Sequence, residues 1–186
     1  DLKLLIMSAT LDSNELTNLL GKIPVINSKG KIYDVENIYL ETNIKQPDIK
    51  SINTLLLNTT LKAIKEDEGD ILVFLAGSKE IQKLQALLEE RLSGSDIAVL
   101  PLYSTLSKEK QDKAISKSNK RKIILSTNIA QTSLTIEGVK VVIDSGLEKV
   151  SRYNYSNAMN HLELSFISSD SAIQRAGRAG RLSNGK

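Results

Sequence analysis

Continuous apolar runs, separated by stretches of helical periodicity, constrain the fold of this chain more than any other feature. The runs cover Ile71–Leu75, Ile97–Leu100, Ile123–Leu125 and Val139–Ile143. Between them, apolar residues recur every three or four positions, for example from 81 to 92. Strands that are buried on both faces and joined by helices are typical of a parallel sheet. The sequence therefore predicts an α/β fold in which a parallel sheet is flanked by helices.

The segments on either side of this region predict further elements. At the amino end these are a buried strand at Leu2–Met7, a short helix between Asp12 and Gly21, and short strands at Pro24–Asn27 and Val35–Leu40. A longer helix is predicted to begin at Pro47 and to end before Gly69. The pattern from Gly146 to Ile167 predicts a β-hairpin with a polar tip. With 186 residues, the chain has the length of one domain of ordinary size.

The stretch Asp170–Arg181, DSAIQRAGRAGR, is the most informative polar segment. On a helix, Gln174, Arg178 and Arg181 lie on one face, and Arg175 points elsewhere. The two glycines cost about 2 kcal/mol of helix stability relative to alanine, which favours the close approach of another backbone or of a ligand. Arginine pairs bidentately with phosphate, so this face is predicted to grip an anion. The alternative is a solvated basic helix.

Polar loops follow three of the predicted strands, at Ala76–Ser78, Tyr103–Thr105 and Ser126–Thr135. In parallel sheets, ligand-binding groups gather at the carboxyl ends of the strands. The last loop, STNIAQTSLT, is rich in hydroxyl and amide groups that suit phosphate oxygens. Alternatively, these side chains cap their own backbone.

The composition excludes several classes of site. The chain has no Cys and a single His, which excludes a disulfide framework, a thiolate zinc site and a histidine metal cluster. No apolar run approaches the ~18 residues of a membrane span, and no signal peptide is visible. The net charge of +3 neither demands nor excludes nucleic acid. Basic clusters such as Lys117–Lys122 are more often solvated faces than binding sites.

Within the Asp170–Arg181 segment, QRAGRAGR is similar to motif VI of superfamily 2 helicases in the form used by the DEAH-box group. Further segments resemble other helicase motifs in the expected order: Ser8–Thr10 motif III, Ile71–Ile81 motif IV, Leu100–Gln111 the next motif with its RNA-contacting hook loop, and Ser126–Gly138 motif V. This chain has Ala76 where proline is usual, Ser104 for glycine and Gln131 for glutamate. The short spacing and the segment RAGRLSNG resemble the bacterial HrpB-like subgroup.

The resemblance implies a RecA-like fold of the P-loop NTPase type and a division of the chain. Residues 1–30 would be the carboxyl end of a first RecA-like helicase lobe, and residues 31–186 the second lobe, with an inserted β-hairpin. The phosphate loop and the DEAH box would lie upstream in a longer parent chain, so this fragment alone is expected to be inactive. The first lobe and the C-terminal domains of the parent are implied partners.

The resemblance also assigns roles at a nucleotide, and it implies ATP with Mg²⁺, the metal being held mainly by the first lobe. Arg181 would be the arginine finger, Arg178 would grip the γ-phosphate, and Gln174 would place the attacking water. Further positions match contacts to the nucleotide or the link between the lobes: Ser133 near the γ-phosphate, Glu137 near the ribose, Ile115 near the adenine, and Ser8 with Thr10 at the link.

For RNA, the resemblance implies contacts from Ser104, Thr127 and Asn128 to sugar and phosphate, so binding would be sequence-independent and salt-sensitive. The implied function is ATP-driven translocation on RNA and unwinding, in the bacterial cytosol and not at a membrane. Two alternatives stay open. The departures at positions 76, 104 and 131 motivate a non-catalytic nucleic-acid-binding or scaffold module with a helicase fold. The other alternative is a DNA-directed superfamily 2 translocase.

Overall fold

The computed structural model describes residues 4–7, 13–21, 23–26, 33–39, 49–132, 134 and 136–186. They belong to two compact units, residues 1–31 and residues 32–186. Helix α1, Ser13–Leu20, lies in the first unit. It is followed by Gly21, whose φ of +79° is a left-handed conformation that favours glycine. The short helix predicted from the sequence is therefore confirmed.

The strands predicted in the first unit are not formed by the residues described there. Residues 4–7 and 23–26 are in no strand, and Leu4 and Met7 are 72% and 81% exposed. A strand needs a partner for its backbone N–H and C=O groups, and no described residue pairs with these segments. The predictions at Leu2–Met7 and Pro24–Asn27 are wrong over their described residues.

The second unit is built around a parallel sheet. Its strands are β1 (Asp70–Phe74), β2 (Ile97–Leu102), β3 (Arg121–Ser126) and β4 (Val139–Asp144). They lie in the order β2-β3-β1-β4, and every pairing is parallel. The predicted parallel sheet is confirmed.

Helices pack against this sheet, and a hairpin follows it. The helices are α2 (Ile49–Glu66), α3 (Ser78–Arg91), α4 (Lys108–Ile115), α5 (Ile129–Thr132) and α6 (Ser169–Ala176). The predicted hairpin consists of the antiparallel strands β5 (Leu147–Asn154) and β6 (Met159–Phe166). None of the helices in the described part of the chain is long and apolar enough to cross a membrane.

Alternate residues of the central strands fill two apolar layers. On one face, Ile71 and Ile123 pack with side chains of α2 and α3. On the other face, Leu72 and Ile124 pack with side chains of α4 and α5. Because both faces are covered, consecutive residues must be apolar, which explains the continuous runs in the sequence.

The last residues of the chain extend the sheet beyond β4. The backbone of Lys186 forms hydrogen bonds of 2.8 and 2.9 Å with β4. Gly185 forms a parallel bridge with Val35. The backbone N–H and C=O of Gly185 each form a hydrogen bond of 2.9 Å with a residue next to Val35. The strand predicted at Val35–Leu40 is reduced to this bridge over its described part, residues 35–39.

Two members of the basic cluster at Lys117–Lys122 satisfy helix ends. The guanidinium of Arg121 donates to carbonyls at and just beyond the end of α2, at 2.7 to 2.8 Å. The Nζ of Lys122 donates to carbonyls at the end of α4, at 2.7 and 3.2 Å. The last carbonyls of a helix have no intrahelical partners, so these two cations stabilise the carboxyl ends of α2 and α4. The interpretation of the cluster as a solvated face is wrong for these two residues.

Candidate functional site

Helix α6 carries the Asp170–Arg181 segment but ends before the segment does. Ser168 Oγ caps the helix by accepting from the Ser171 N–H at 3.1 Å, and the last helical residue is Ala176. Residues 177–180 continue as turns. The predicted helix to Arg181 is wrong at this end, because glycine at positions 177 and 180 disfavours helix. Gln174, Arg178 and Arg181 therefore do not share one helical face.

Gly180 lies directly against another backbone segment. A Cβ at this position would lie 2.7 Å from the Tyr33 carbonyl oxygen and 2.7 Å from Val35 Cγ2. The Gly180 carbonyl accepts from the Tyr33 N–H at 3.2 Å. At Gly177, in contrast, a Cβ would be 3.4 and 3.6 Å from carbonyl oxygens of its own helix, which are ordinary distances. The close approach predicted from the two glycines is confirmed at Gly180 alone.

The two glycines are expected to respond differently to alanine. Gly180→Ala should lower the free energy of unfolding by about 1–3 kcal/mol, because the added methyl group must displace the Tyr33 backbone. Gly177 has a right-handed helical backbone with φ of −59°. Gly177→Ala should leave stability unchanged or raise it by up to about 1 kcal/mol. Chemical denaturation measures both effects, and equal losses would contradict the close-packing explanation.

Arg178 is buried and holds the loop Ser126–Thr135. Its Nη1 donates to the Leu134 carbonyl at 2.5 Å, and its Nη2 donates to the Gln131 carbonyl. Burial and the positive charge of Arg181 lower the pKa of Arg178 to about 10, so the side chain stays charged at neutral pH. The two segments singled out in the sequence are thus joined by one guanidinium.

Arg175 is the buried residue of α6, at 1% exposed, although the sequence predicted only that it points away from the site. Its Nη1 donates to Asp144 Oδ1 at 3.0 Å, and its Nη2 lies 3.9 Å from Glu148 Oε2. Its guanidinium carbon is 4.9 Å from the centroid of the Phe74 ring, a cation–π arrangement. Because Asp144 and Phe74 end neighbouring strands, Arg175 fastens α6 to the carboxyl end of the sheet. The sequence signal that could have indicated this contact is Asp144, which directly follows the apolar run Val139–Ile143.

Gln131 connects the arginines with Gln174. Its Oε1 accepts from Arg175 Nε at 3.1 Å. Its Nε2 donates to Ser171 Oγ at 3.1 Å and to Gln174 Oε1 at 3.2 Å, while its carbonyl accepts from Arg178. The loop and α6 therefore form one cluster with guanidinium donors, and such donors suit an anionic ligand.

Comparison with known proteins places the chain in a family. The helicase conserved C-terminal domain matches residues 49–183. The chain belongs to the helicase conserved C-terminal domain family. It is 42% identical over 187 residues to the ATP-dependent RNA helicase HrpB of Escherichia coli (strain K12). It is 40% identical over 190 residues to the ATP-dependent RNA helicase HrpA of Borreliella burgdorferi.

Solved structures agree with this assignment of the helicase C-terminal domain. The crystal structure of the Escherichia coli DEAH/RHA helicase HrpB matches with a TM-score of 0.84 and 42% identity, covering 100% of this chain and 23% of that chain. The two sequence matches also cover 100% of this chain, but 22% and 23% of the relatives. The chain therefore spans less than a quarter of the length of these relatives. The matches confirm the resemblance to DEAH-box helicases and the RecA-like fold.

In this helicase C-terminal domain, the residues predicted to contact RNA lie at one edge of the sheet. Ser104 follows β2, and Thr127 and Asn128 follow the adjacent strand β3. The two loops are joined because Ser126 Oγ and the Thr127 N–H donate to the Leu102 carbonyl, at 3.1 and 3.3 Å. The structure brings these residues to one edge, and their contact with RNA stays a prediction.

Two residues predicted to contact the nucleotide lie towards the opposite edge of the sheet. Glu137 is exposed in the turn before β4, and Ile115 is half-buried at the end of α4, which precedes β3. Both are near the amino ends of strands, and their roles stay predictions. Ser8, Thr10 and Ser133 lie outside the described residues.

The space beside the loop Ala76–Ser78 holds an internal ion pair. Lys149 Nζ of the hairpin donates to Glu80 Oε1 and Oε2 at 3.0 and 2.9 Å. A Cβ on Gly77 would lie 2.8 Å from Glu80 Oε2 and 2.8 Å from Lys149 Nζ. Because glycine has no side chain, position 77 leaves space for the ion pair that holds the hairpin against α3.

Proposed function

We propose that this chain is the second RecA-like lobe of an ATP-dependent RNA helicase and supplies an arginine finger and RNA-backbone contacts for translocation and unwinding. The observation that carries the proposal is the bonding of Arg178 to the carbonyls of Gln131 and Leu134. Through it, a displacement of the arginine segment displaces the loop that carries Thr127 and Asn128. Nucleotide and RNA contacts would thus be coupled through a few direct bonds. The names of the relatives, which are ATP-dependent RNA helicases, support the proposal.

The donor chemistry of the cluster fits a terminal phosphate. In the proposal, Arg181 is the arginine finger and Arg178 also binds the γ-phosphate. A guanidinium carries five N–H donors, so Arg178 retains donors beyond those that hold the loop. ATP supplies the phosphoanhydride bond whose hydrolysis drives the cycle, and Mg²⁺ is held mainly by the first lobe. The remaining nucleotide contacts in the proposal are Gln174, Ser133, Glu137 and Ile115.

The RNA side of the proposal uses the carboxyl edge of the sheet. Ser104, Thr127 and Asn128 would contact sugar and phosphate, which makes affinity fall as salt rises. The hairpin would lie near the entry of the strand and help to separate a duplex. Its tip presents Tyr155, 90% exposed, in an edge-to-face contact with Tyr153 at 5.0 Å.

The proposal also includes the surroundings of this lobe. Residues 1–30 would end the first lobe and residues 31–186 form the second, with Ser8 and Thr10 coupling the two. The C-terminal domains of the full-length protein would be further partners. The bacterial cytosol is the proposed location.

Hydrolysis of ATP by the full-length protein, with and without RNA, tests this function, and this chain alone is the control. We expect RNA-stimulated hydrolysis by the full-length protein and none by this chain, because the phosphate loop and the DEAH box would lie upstream. Hydrolysis by the chain alone, or none by a folded full-length protein, would contradict the proposal. RNA binding without hydrolysis would instead favour a non-catalytic module. Tighter binding to DNA than to RNA of equal length would favour a DNA-directed translocase.

A further inference from the structure

The loop that carries Ser104 runs from the end of β2 to the start of α4, over residues 103–107. Its first part is closed by a turn, because the Leu106 N–H donates to the Tyr103 carbonyl at 3.1 Å. Ser104 and Thr105, the two residues at the tip of this turn, are exposed. The turn brings the ends of the loop together, but the directions of its other peptide groups depend on further contacts.

Gln111 of α4 supplies these contacts. Its Nε2 donates to the Leu106 carbonyl at 2.9 Å and to the Ser104 carbonyl at 3.4 Å. Both neighbours are acceptors, so the group that faces them must be the NH₂ group of the side chain, which has one N–H for each carbonyl. Gln111 is half-buried. One side chain therefore sets the direction of two peptide groups in the loop.

These two peptide groups present their N–H bonds on the side away from Gln111. A trans peptide carries its C=O and its N–H on opposite sides. The carbonyls of Ser104 and Leu106 point towards α4. The N–H groups that follow them, those of Thr105 and Ser107, therefore point away from this helix. Neither N–H group has a hydrogen-bond partner among the described residues, and both residues are exposed.

We propose that Gln111 is a positioning residue for RNA, which directs the N–H groups of Thr105 and Ser107 towards the phosphate backbone. This inference rests on the proposed function, in which Ser104 and Thr127 contact sugar and phosphate at the same edge of the sheet. Backbone N–H groups commonly donate to phosphate oxygens without reading sequence. Because they are neutral, they add affinity without the release of counterions that cationic side chains cause.

Gln111→Met in the full-length protein removes both side-chain donors and keeps the length of the side chain. We expect Kd for single-stranded RNA to rise about tenfold, the effect of misplacing a hydrogen bond to a charged group. The slope of log Kd against log salt should not change, because neutral donors release no counterions. Fluorescence anisotropy at several salt concentrations measures both quantities. An unchanged Kd would overturn the proposal, and so would a shallower slope, which would show the loss of a cationic contact.

RNA-stimulated ATP hydrolysis separates positioning from damage to the fold. In Gln111→Met, the RNA concentration for half-maximal stimulation should rise about tenfold, while kcat at saturating RNA stays the same. Gln85→Met is the matched control, because Gln85 Nε2 also donates a side-chain hydrogen bond, to Glu89 Oε1 at 2.8 Å within α3. The control should change neither quantity. A fall in kcat and in the thermal unfolding temperature of Gln111→Met would show a merely structural role and overturn the proposal.

Ser107→Pro removes one of the two N–H groups directly. The φ of Ser107 is −58°, a value that proline adopts, and the Ser107 side chain forms no capping hydrogen bond with α4. Alone, this variant should raise Kd for RNA. In the Gln111→Met background the N–H group is already misdirected, so Ser107→Pro should add little. Equal fold losses in both backgrounds, or no loss from Ser107→Pro alone, would overturn the positioning role. If Ser107→Pro lowers the unfolding temperature, the comparison of Gln111→Met with Gln85→Met decides.

Failure of this inference and failure of the proposed function give different results. If the full-length protein binds RNA and hydrolyses ATP, and Gln111→Met binds RNA equally tightly, only this inference fails. If the unmodified full-length protein shows neither RNA binding nor RNA-stimulated hydrolysis, the proposed function fails and this inference fails with it.

Discussion

Replacing Arg181 with alanine in the full-length protein is expected to lower kcat for RNA-stimulated ATP hydrolysis by about 10³- to 10⁵-fold, the range of an arginine finger. The fold should persist, because Arg181 is exposed and lies beyond the end of α6. Steady-state hydrolysis at saturating RNA, together with thermal unfolding, measures both expectations. Near-normal turnover would refute the assignment of Arg181.

A matched control removes the same charge elsewhere. Arg91 is exposed in the last turn of α3, and Arg91→Ala should leave kcat and stability unchanged. A comparable loss in both variants would point to a general effect of net charge. Arg178→Ala is a less specific probe, because Arg178 also holds the carbonyls of Gln131 and Leu134, so stability and turnover should fall together.

Arg175→Met is expected to lower the free energy of unfolding of this chain by about 3 kcal/mol, which is the effect of removing one partner of a buried ion pair. The substitution leaves Asp144 and Glu148 without their cation, and it leaves the Gln131 oxygen without its donor. These carboxylate side chains are 22% and 26% exposed, so partial hydration places the loss towards the low end of the range for buried pairs. Chemical denaturation measures it.

Arg152→Met provides the comparison at an exposed ion pair. Arg152 Nε lies 2.8 Å from Glu163 Oε2 on the hairpin, but the side chains are 61% and 51% exposed. Exposed ion pairs contribute about 0–1 kcal/mol to stability. The free energy of unfolding of this variant should therefore be close to that of the unmodified chain. Equal losses at Arg175 and Arg152 would show that the burial of Arg175 does not determine its contribution.

The sheet could be predicted because its strands are covered by helices on both faces. A run such as Ile123–Leu125 is fully buried, and a continuous apolar run of this kind is typical of a central parallel strand. The hairpin was equally predictable from local alternation. The two segments of the candidate site were recognisable as well, because QRAGRAGR and STNIAQTSLT each combine suitable donors within a short stretch.

What could not be predicted depends on contacts between distant segments. Four residues after the end of α6, Gly180 lies against the Tyr33 backbone, and no local pattern indicates that neighbour. A helical projection shows that Arg175 faces away from Gln174, but not that Asp144, Glu148 and Phe74 converge on it. At the amino end, apolar composition predicted strands, yet a strand also depends on a partner that its own sequence does not specify.

The bridge between Val35 and Gly185 joins residues from nearly opposite ends of this chain. Contacts across such a separation close a large loop and form slowly compared with local ones. Strands β1 to β3 can pair during synthesis before the residues after 177 have left the ribosome. The backbone around Val35 can form its hydrogen bonds only after Gly180 and Gly185 have been synthesised. Arg178 and Arg181 lie in that late segment. The region proposed to act on ATP is therefore synthesised after the strands β1 to β3, so a partly synthesised chain can pair these strands before it can form the site.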